Sequence, residues 1–77
     1  MEFIACYKVT YFSKSPWDIH KKSKYYKVEK DARDFLEYAT KLARRDNMFH
    51  NMPTIDEILL LNVNGKSYSL GTPVTIE

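Results

Sequence analysis

Asp31–Arg45, DARDFLEYATKLARR, is the stretch around which the rest of the chain must be arranged. Ala32, Phe35, Leu36, Ala39, Leu42 and Ala43 recur at i, i+3, i+4 and i+7 and share an arc of about 120° on a helix. Arg33, Asp34, Glu37, Lys41 and Arg44 occupy the other side. Asp31 reads as the N-cap, with Asp34 three residues on as the partner of a weak capping box. Arg44 and Arg45 suit the negative end of the helix dipole, and Asp46-Asn47 tolerates a left-handed stop. A helix of this length is marginal alone in water, so it needs a sheet to lie on.

The sheet is read outward from both ends of the helix. Upstream, Phe3–Phe12 alternates Phe3, Ala5, Tyr7, Val9 and Tyr11 against Ile4, Cys6, Lys8, Thr10 and Phe12, the period of a strand. Ser13–Pro16 ends it, Trp17–Ser23 reads as a lysine-rich connecting loop, and Lys24–Glu29 as a second strand. Downstream, Asn47–Thr54 reads as a loop tucked against the core by Met48, Phe49 and Met52. Asp56–Asn64 is expected to form a third strand. Thr54–Glu57 also fits a capping box, but Asn64-Gly65 is the strongest short hairpin signal and Lys66–Leu70 alternates after it. A two-residue turn pairs Val63 with Lys66, Leu61 with Tyr68 and Leu59 with Leu70, placing large apolar side chains on one face. Gly71–Pro73 breaks the strand, and Val74–Ile76 adds a short edge. The expectation is an α+β fold with an antiparallel sheet of four strands, or five with that edge, and one amphipathic helix across one face, in the order β-β-α-β-β.

Seventy-seven residues allow one domain, residues 1–77, near the size where a single core only just outweighs chain entropy. The longest aliphatic run is Ile58–Leu61, too short for a membrane span, and no signal-peptide pattern opens the chain. One cysteine and two histidines make neither a disulfide nor a structural zinc site, so a reducing, cytoplasmic setting is expected. The net charge of +2 hides a basic first half: residues 1–30 hold seven lysines against Glu2, Asp18 and Glu29. That asymmetry is too weak for an obligate nucleic-acid binder and excludes an acidic DNA mimic, but the basic half is real.

No pattern of catalytic residues stands out. Asp18 and His20 could form a base with its orienting carboxylate, but no nucleophile adjoins them. Asp46, His50 and Asn51 lack a second ligand cluster, and Cys6 on a strand reads as a small buried hydrophobe. No cofactor is expected, and the chain reads as non-enzymatic. Two features remain. Basic and aromatic residues interleave in His20, Lys21, Lys22, Lys24, Tyr25 and Lys27, a pattern that can neutralise phosphates and stack bases, although a solvated loop explains it more simply. The sheet face away from the helix is also rich in apolar residues, and Ile58 and Leu60 are its centre. There Tyr25, with Phe12 and Trp17 nearby, would be the aromatic anchor of an interface, unless the Met48–Met52 loop or the Val74–Ile76 tail folds over this face.

The DARDFLEYATKLARR helix between two hairpins resembles small phage-encoded proteins, among them anti-CRISPR proteins and phage inhibitors of host polymerase. The resemblance implies a binding protein that occludes a host protein or protein–nucleic acid complex, acting in the host cytoplasm. It carries over no functional residue. A small single-stranded nucleic-acid-binding protein on a reduced OB-like barrel is the alternative, with weak binding to nucleic acid. A minor structural or assembly subunit is a third reading, and a homodimer would also use the uncovered face.

Overall fold

β1 (Glu2–Lys14) is the longest strand and the one the others are built on. The computed structural model describes Met1–Glu77 and continues with β2 (Ile19–Tyr26), α1 (Glu29–Arg45), β3 (Thr54–Val63), β4 (Lys66–Ser69) and β5 (Thr72–Val74). The sheet order is β2-β1-β3-β4-β5, antiparallel throughout. An α+β fold with one helix and one antiparallel sheet is what the patterning asked for. The order along the chain is β-β-α-β-β-β rather than β-β-α-β-β, because Thr72–Val74 forms a full fifth strand instead of an edge at Val74–Ile76.

The first hairpin departs most from expectation. Trp17–Ser23 is not a loop: β2 starts at Ile19, and its ladder runs from Tyr7↔Tyr26 out to Lys14↔Ile19. The turn is only Ser15–Asp18, closed by Ser15 N–H donating to Asp18 O at 2.8 Å. Asp18 N–H donates to Ser15 Oγ at 3.1 Å, and Ile19 N–H to Asp18 Oδ1 at 2.7 Å. Pairing with β3 stops at Thr10↔Thr54, so β1 and β2 project past the sheet as a two-stranded arm of about four residues a strand, roughly 13 Å. The β2 half of the arm, Ile19–Ser23, is exposed on both faces and needs no apolar period, which is why the lysine-rich stretch concealed a strand. The arm also accounts for the molecule's elongation. Its radius of gyration is 13.6 Å, where a compact chain of this length has about 11.5 Å.

The helix begins two residues before the expected cap. Val28, still extended, is the N-cap and offers no side-chain hydrogen bond; Ala32 N–H closes the first turn on Val28 O at 3.2 Å. Asp31 is therefore a first-turn anion, and Asp34 pairs with Lys30 at 3.1 Å rather than reaching back to a cap. Glu29 and Arg33 form a second i,i+4 pair at 2.9 Å. The stop falls where the sequence placed it. Asn47 has φ +57°, its N–H donates to Arg44 O at 3.1 Å, and Met48 N–H donates to Ala43 O at 2.8 Å. This Schellman geometry swings Met48 inward, where it is buried.

The second hairpin keeps the expected register at Val63↔Lys66 and Leu61↔Tyr68, with Asn64 at φ +54° and Gly65 at φ +81°, as a two-residue primed turn requires. The Leu59–Leu70 pair does not form. Leu70, at φ +50°, and Gly71, at φ +84°, make a second two-residue turn that joins Ser69 to Thr72. Leu70 is fully exposed.

The two sheet faces have different cover. Register puts Tyr7, Val9, Tyr11, Lys24 and Tyr26 on the helix face, and Val9 is wholly buried there with Ala32, Ala39 and Ala43. Phe35 meets Tyr11 edge-on at 5.0 Å between centroids and Tyr26 at 5.9 Å. On the opposite face Cys6, Tyr25 and Leu60 form a cluster, with Ile58, Val74 and Ile76 against it. After β5 the tail crosses to the far edge of the sheet. There Ile76 bridges Tyr25 in parallel, and Glu77 N–H donates to Tyr25 O at 2.7 Å. The sheet is thereby curled into a near-barrel with this cluster inside.

Candidate partner-binding surface

Closure by the tail relocates the surface the sequence had singled out. Leu60 is 1% exposed and Tyr25 8%, and Ile58 packs on them, so these three belong to the interior and present no docking face. Nor do they gather with the other expected anchors. Phe12 pairs with Lys21, four residues along the ribbon from Tyr25, and is half-buried. Trp17 sits at the tip of the arm, 94% exposed. On the helix face, beyond the end of the helix, two apolar residues of neighbouring strands reach solvent together: Phe3 and Leu59, each 66% exposed, with Ala5 between them by register. A helix covering the Val9–Tyr11 part of a long sheet leaves the Phe3 end bare, and strand alternation alone does not reveal where along a strand a helix stops.

The basic residues are distributed over the arm. His20, Lys22 and Lys24 share the helix face, while Lys14 and Lys21 share the other with Phe12 and Ile19. Lys27 follows β2 at the turn into the helix. From Lys8 to Lys27 there are six lysines and one acidic residue, Asp18, a local charge of +5. All four ion pairs of the molecule lie on α1 or at its exit, and none engages an arm lysine. Lys24 alone has a side-chain partner, its Nζ standing 4.7 Å from the Phe35 ring centroid. The aromatic half of the expected pattern is used internally: Tyr25 is core, and Tyr26 packs on Phe35. Burial pushes the Tyr26 phenol up, and the nearby Glu77 carboxylate adds to the shift. Trp17, at the tip of the arm, is the exposed aromatic nearest these lysines in the chain.

Three of the residues weighed for chemistry, Asp18, Asp46 and Cys6, have structural roles. The Asp18 carboxylate closes the hairpin turn, and Asp46 ends the helix with Arg45 Nε at 3.4 Å. Burial raises the Cys6 thiol above its ordinary pKa, which suppresses the reactive thiolate. No three His, Cys, Asp or Glu side chains come together as a metal site, and no helix is long and apolar enough to cross a membrane.

One feature has no counterpart in the sequence reading. Between the arm and the C-terminal half of α1 lies an apolar cleft of about 260 Å³, walled by Tyr11–Lys14 on one side and Phe35, Leu42 and Met48 on the other. Asn47 at the helix stop was its only sequence sign, since that residue turns Met48 into the floor. No protein-family model matches the chain, and neither a curated protein nor a solved structure is significantly similar to it.

Proposed function

We propose that this chain is a small non-enzymatic binding protein that grips nucleic acid, free or within a protein complex, with the lysine-loaded β1–β2 arm. The observation that carries this reading is the unpaired charge: Lys14, Lys21 and Lys22 on the projecting ribbon and Lys24 at its base, none of them in an ion pair. Lysines so placed release condensed counterions when they meet phosphates, and a two-stranded ribbon is one of the shapes a DNA major groove admits. Lysine also keeps edge strands from pairing with other chains, a role that does not compete with phosphate contact. Phosphate contacts fix position without reading sequence, which suits an inhibitor of the phage type: occupying the path of a nucleic acid through a host complex needs no catalytic group.

The test is a salt titration of binding to labelled single-stranded and duplex oligonucleotides. Contacts from Lys14, Lys21, Lys22 and Lys24 give a log–log slope of about −3.6 on duplex and about −2.8 on single strands. Lys21→Glu with Lys22→Glu should flatten the slope and weaken binding. No binding at about 50 mM salt, in the range where nonspecific complexes have Kd of roughly 10⁻⁴–10⁻⁶ M or tighter, overturns the reading.

A second reading, docking on a protein surface or a second copy, is favoured by the bare Phe3–Leu59 patch. Concentration-dependent sedimentation that Leu59→Lys abolishes, with no oligonucleotide binding, would put it first.

A further inference from the structure

The cleft beside the arm is open along a strand edge. Ser15 and Asp18 form the hydrogen-bonded end of the hairpin. Antiparallel alternation therefore directs the backbone of Tyr11 and Ser13 toward β2, and that of Phe12 and Lys14 toward the opposite edge. β3 ends at Thr54, opposite Thr10, and none of the backbone hydrogen bonds made outside helices and strands involves Phe12 or Lys14. Two N–H and two C=O groups thus face outward beside an apolar cleft walled by Phe35, Leu42 and Met48.

We propose that this edge takes up an extended peptide segment of a partner protein as an added antiparallel strand. A strand laid against Phe12 and Lys14 places alternate side chains on opposite faces of the sheet. Those on the helix face enter the cleft, whose volume suits a leucine-sized residue. Those on the other face come beside Lys14, with Lys21 one strand further on, and acidic residues complement them. The ligand class is a segment alternating acidic and large aliphatic residues, recognised by main-chain hydrogen bonds for affinity and by the cleft for specificity. Lys24 and Asp46 stand at the margins of the cleft, and its walls of Phe35, Leu42 and Met48 favour aliphatic side chains there. The outer edge of β2 is taken by the tail at Tyr25, and over Ile19–Ser23 it offers no cleft. This inference shares Lys14 and Lys21 with the nucleic-acid reading but rests on the unpaired backbone edge of β1, so a loss on Lys14→Pro beyond that on Lys14→Ala tests it independently of the lysine charges.

The probe is a fluorescent eight-residue peptide alternating glutamate and leucine, compared with a scrambled peptide of equal composition and charge. Lys14→Pro deletes an outward N–H while sparing the ladder to β2, and Lys14→Ala controls for the lost charge. The alternating peptide should bind at least about tenfold more tightly than the scrambled one. Lys14→Pro should weaken binding at least about tenfold beyond Lys14→Ala. Amide chemical-shift changes should centre on Phe12, Lys14, Leu42 and Met48. Equal binding of both peptides, shifts centred on Ile19–Ser23, or no binding at about 1 mM peptide each overturn the proposal. So does a dimer of the free chain that Lys14→Pro dissociates, which would assign the edge to a second copy.

Discussion

Inside the curled sheet, Cys6, Tyr25 and Leu60 meet at 8% exposure or less, with Ile58, Val74 and Ile76 around them. Under the helix, the fully buried residues are Val9, three alanines and Met48, while the large side chains Phe35, Leu36 and Leu42 stay half-buried. The interior chamber is filled by bulk and shut by a tail; the outer layer is thin and closed by small residues that let a helix approach. Burial stabilises roughly in proportion to the apolar area removed from water, so a residue of the chamber should matter more than a larger one under the helix. The openness of the outer layer has a functional side, because the cleft and the free strand edge are found there.

Truncating the chamber should have the largest effect. Leu60→Ala removes a fully enclosed side chain and is expected to cost about 2–5 kcal/mol, enough to unfold a domain whose total is about 5–15 kcal/mol. Urea denaturation measures it, and a loss under about 0.5 kcal/mol would mean the chamber is not the main core. Ile58→Thr with Leu60→Thr should likewise unfold the protein rather than spare it.

Removing Ile76 and Glu77 tests closure itself. One half-buried aliphatic residue and one backbone hydrogen bond are lost, a cost of about 1–3 kcal/mol. Faster hydrogen exchange at β2 should accompany it; unchanged exchange would show that the tail is not what holds the sheet curled. Phe35→Ala probes the other layer and is expected to cost about 1–3 kcal/mol, less than Leu60→Ala, since the ring is only partly buried. If it costs more than Leu60→Ala, the ranking of the two cores is inverted.

The two primed turns sharpen the comparison at smaller scale. Gly65 has φ +81° with open space around its missing Cβ, so Gly65→Val should cost about 1–2 kcal/mol from backbone strain alone. Leu70 already bears such strain at φ +50° while burying nothing. Leu70→Asn should therefore raise stability by up to about 1 kcal/mol, read as a higher midpoint of thermal unfolding. A lower midpoint would mean the exposed leucine has a packing role.

Local chemistry was enough to place some elements. The 3.6-residue period fixed the helix, Asn47 fixed its stop, and Asn64-Gly65 fixed the register of Val63 on Lys66, because each depends on residues close in the chain. The helix start escaped, since Val28 enters it straight from an extended segment without a side-chain cap. β2 was half legible: Tyr25 and Tyr26 signal a strand because they are buried, whereas Ile19–Lys24 is held by its ladder to β1 and leaves no apolar pattern.

Which face is interior was a tertiary decision. Alternation sets Ile58, Leu60 and Tyr25 on the face away from the helix, where the structure has them, but it does not say whether that face is bare or enclosed. The answer lies in a contact spanning the chain, Ile76 and Glu77 on Tyr25, whose energy depends on sheet curl and not on any local pattern. The same holds for the cleft. It exists because β1 outruns β3 while α1 ends beside the overhang, a mismatch of lengths that appears only once the elements are packed.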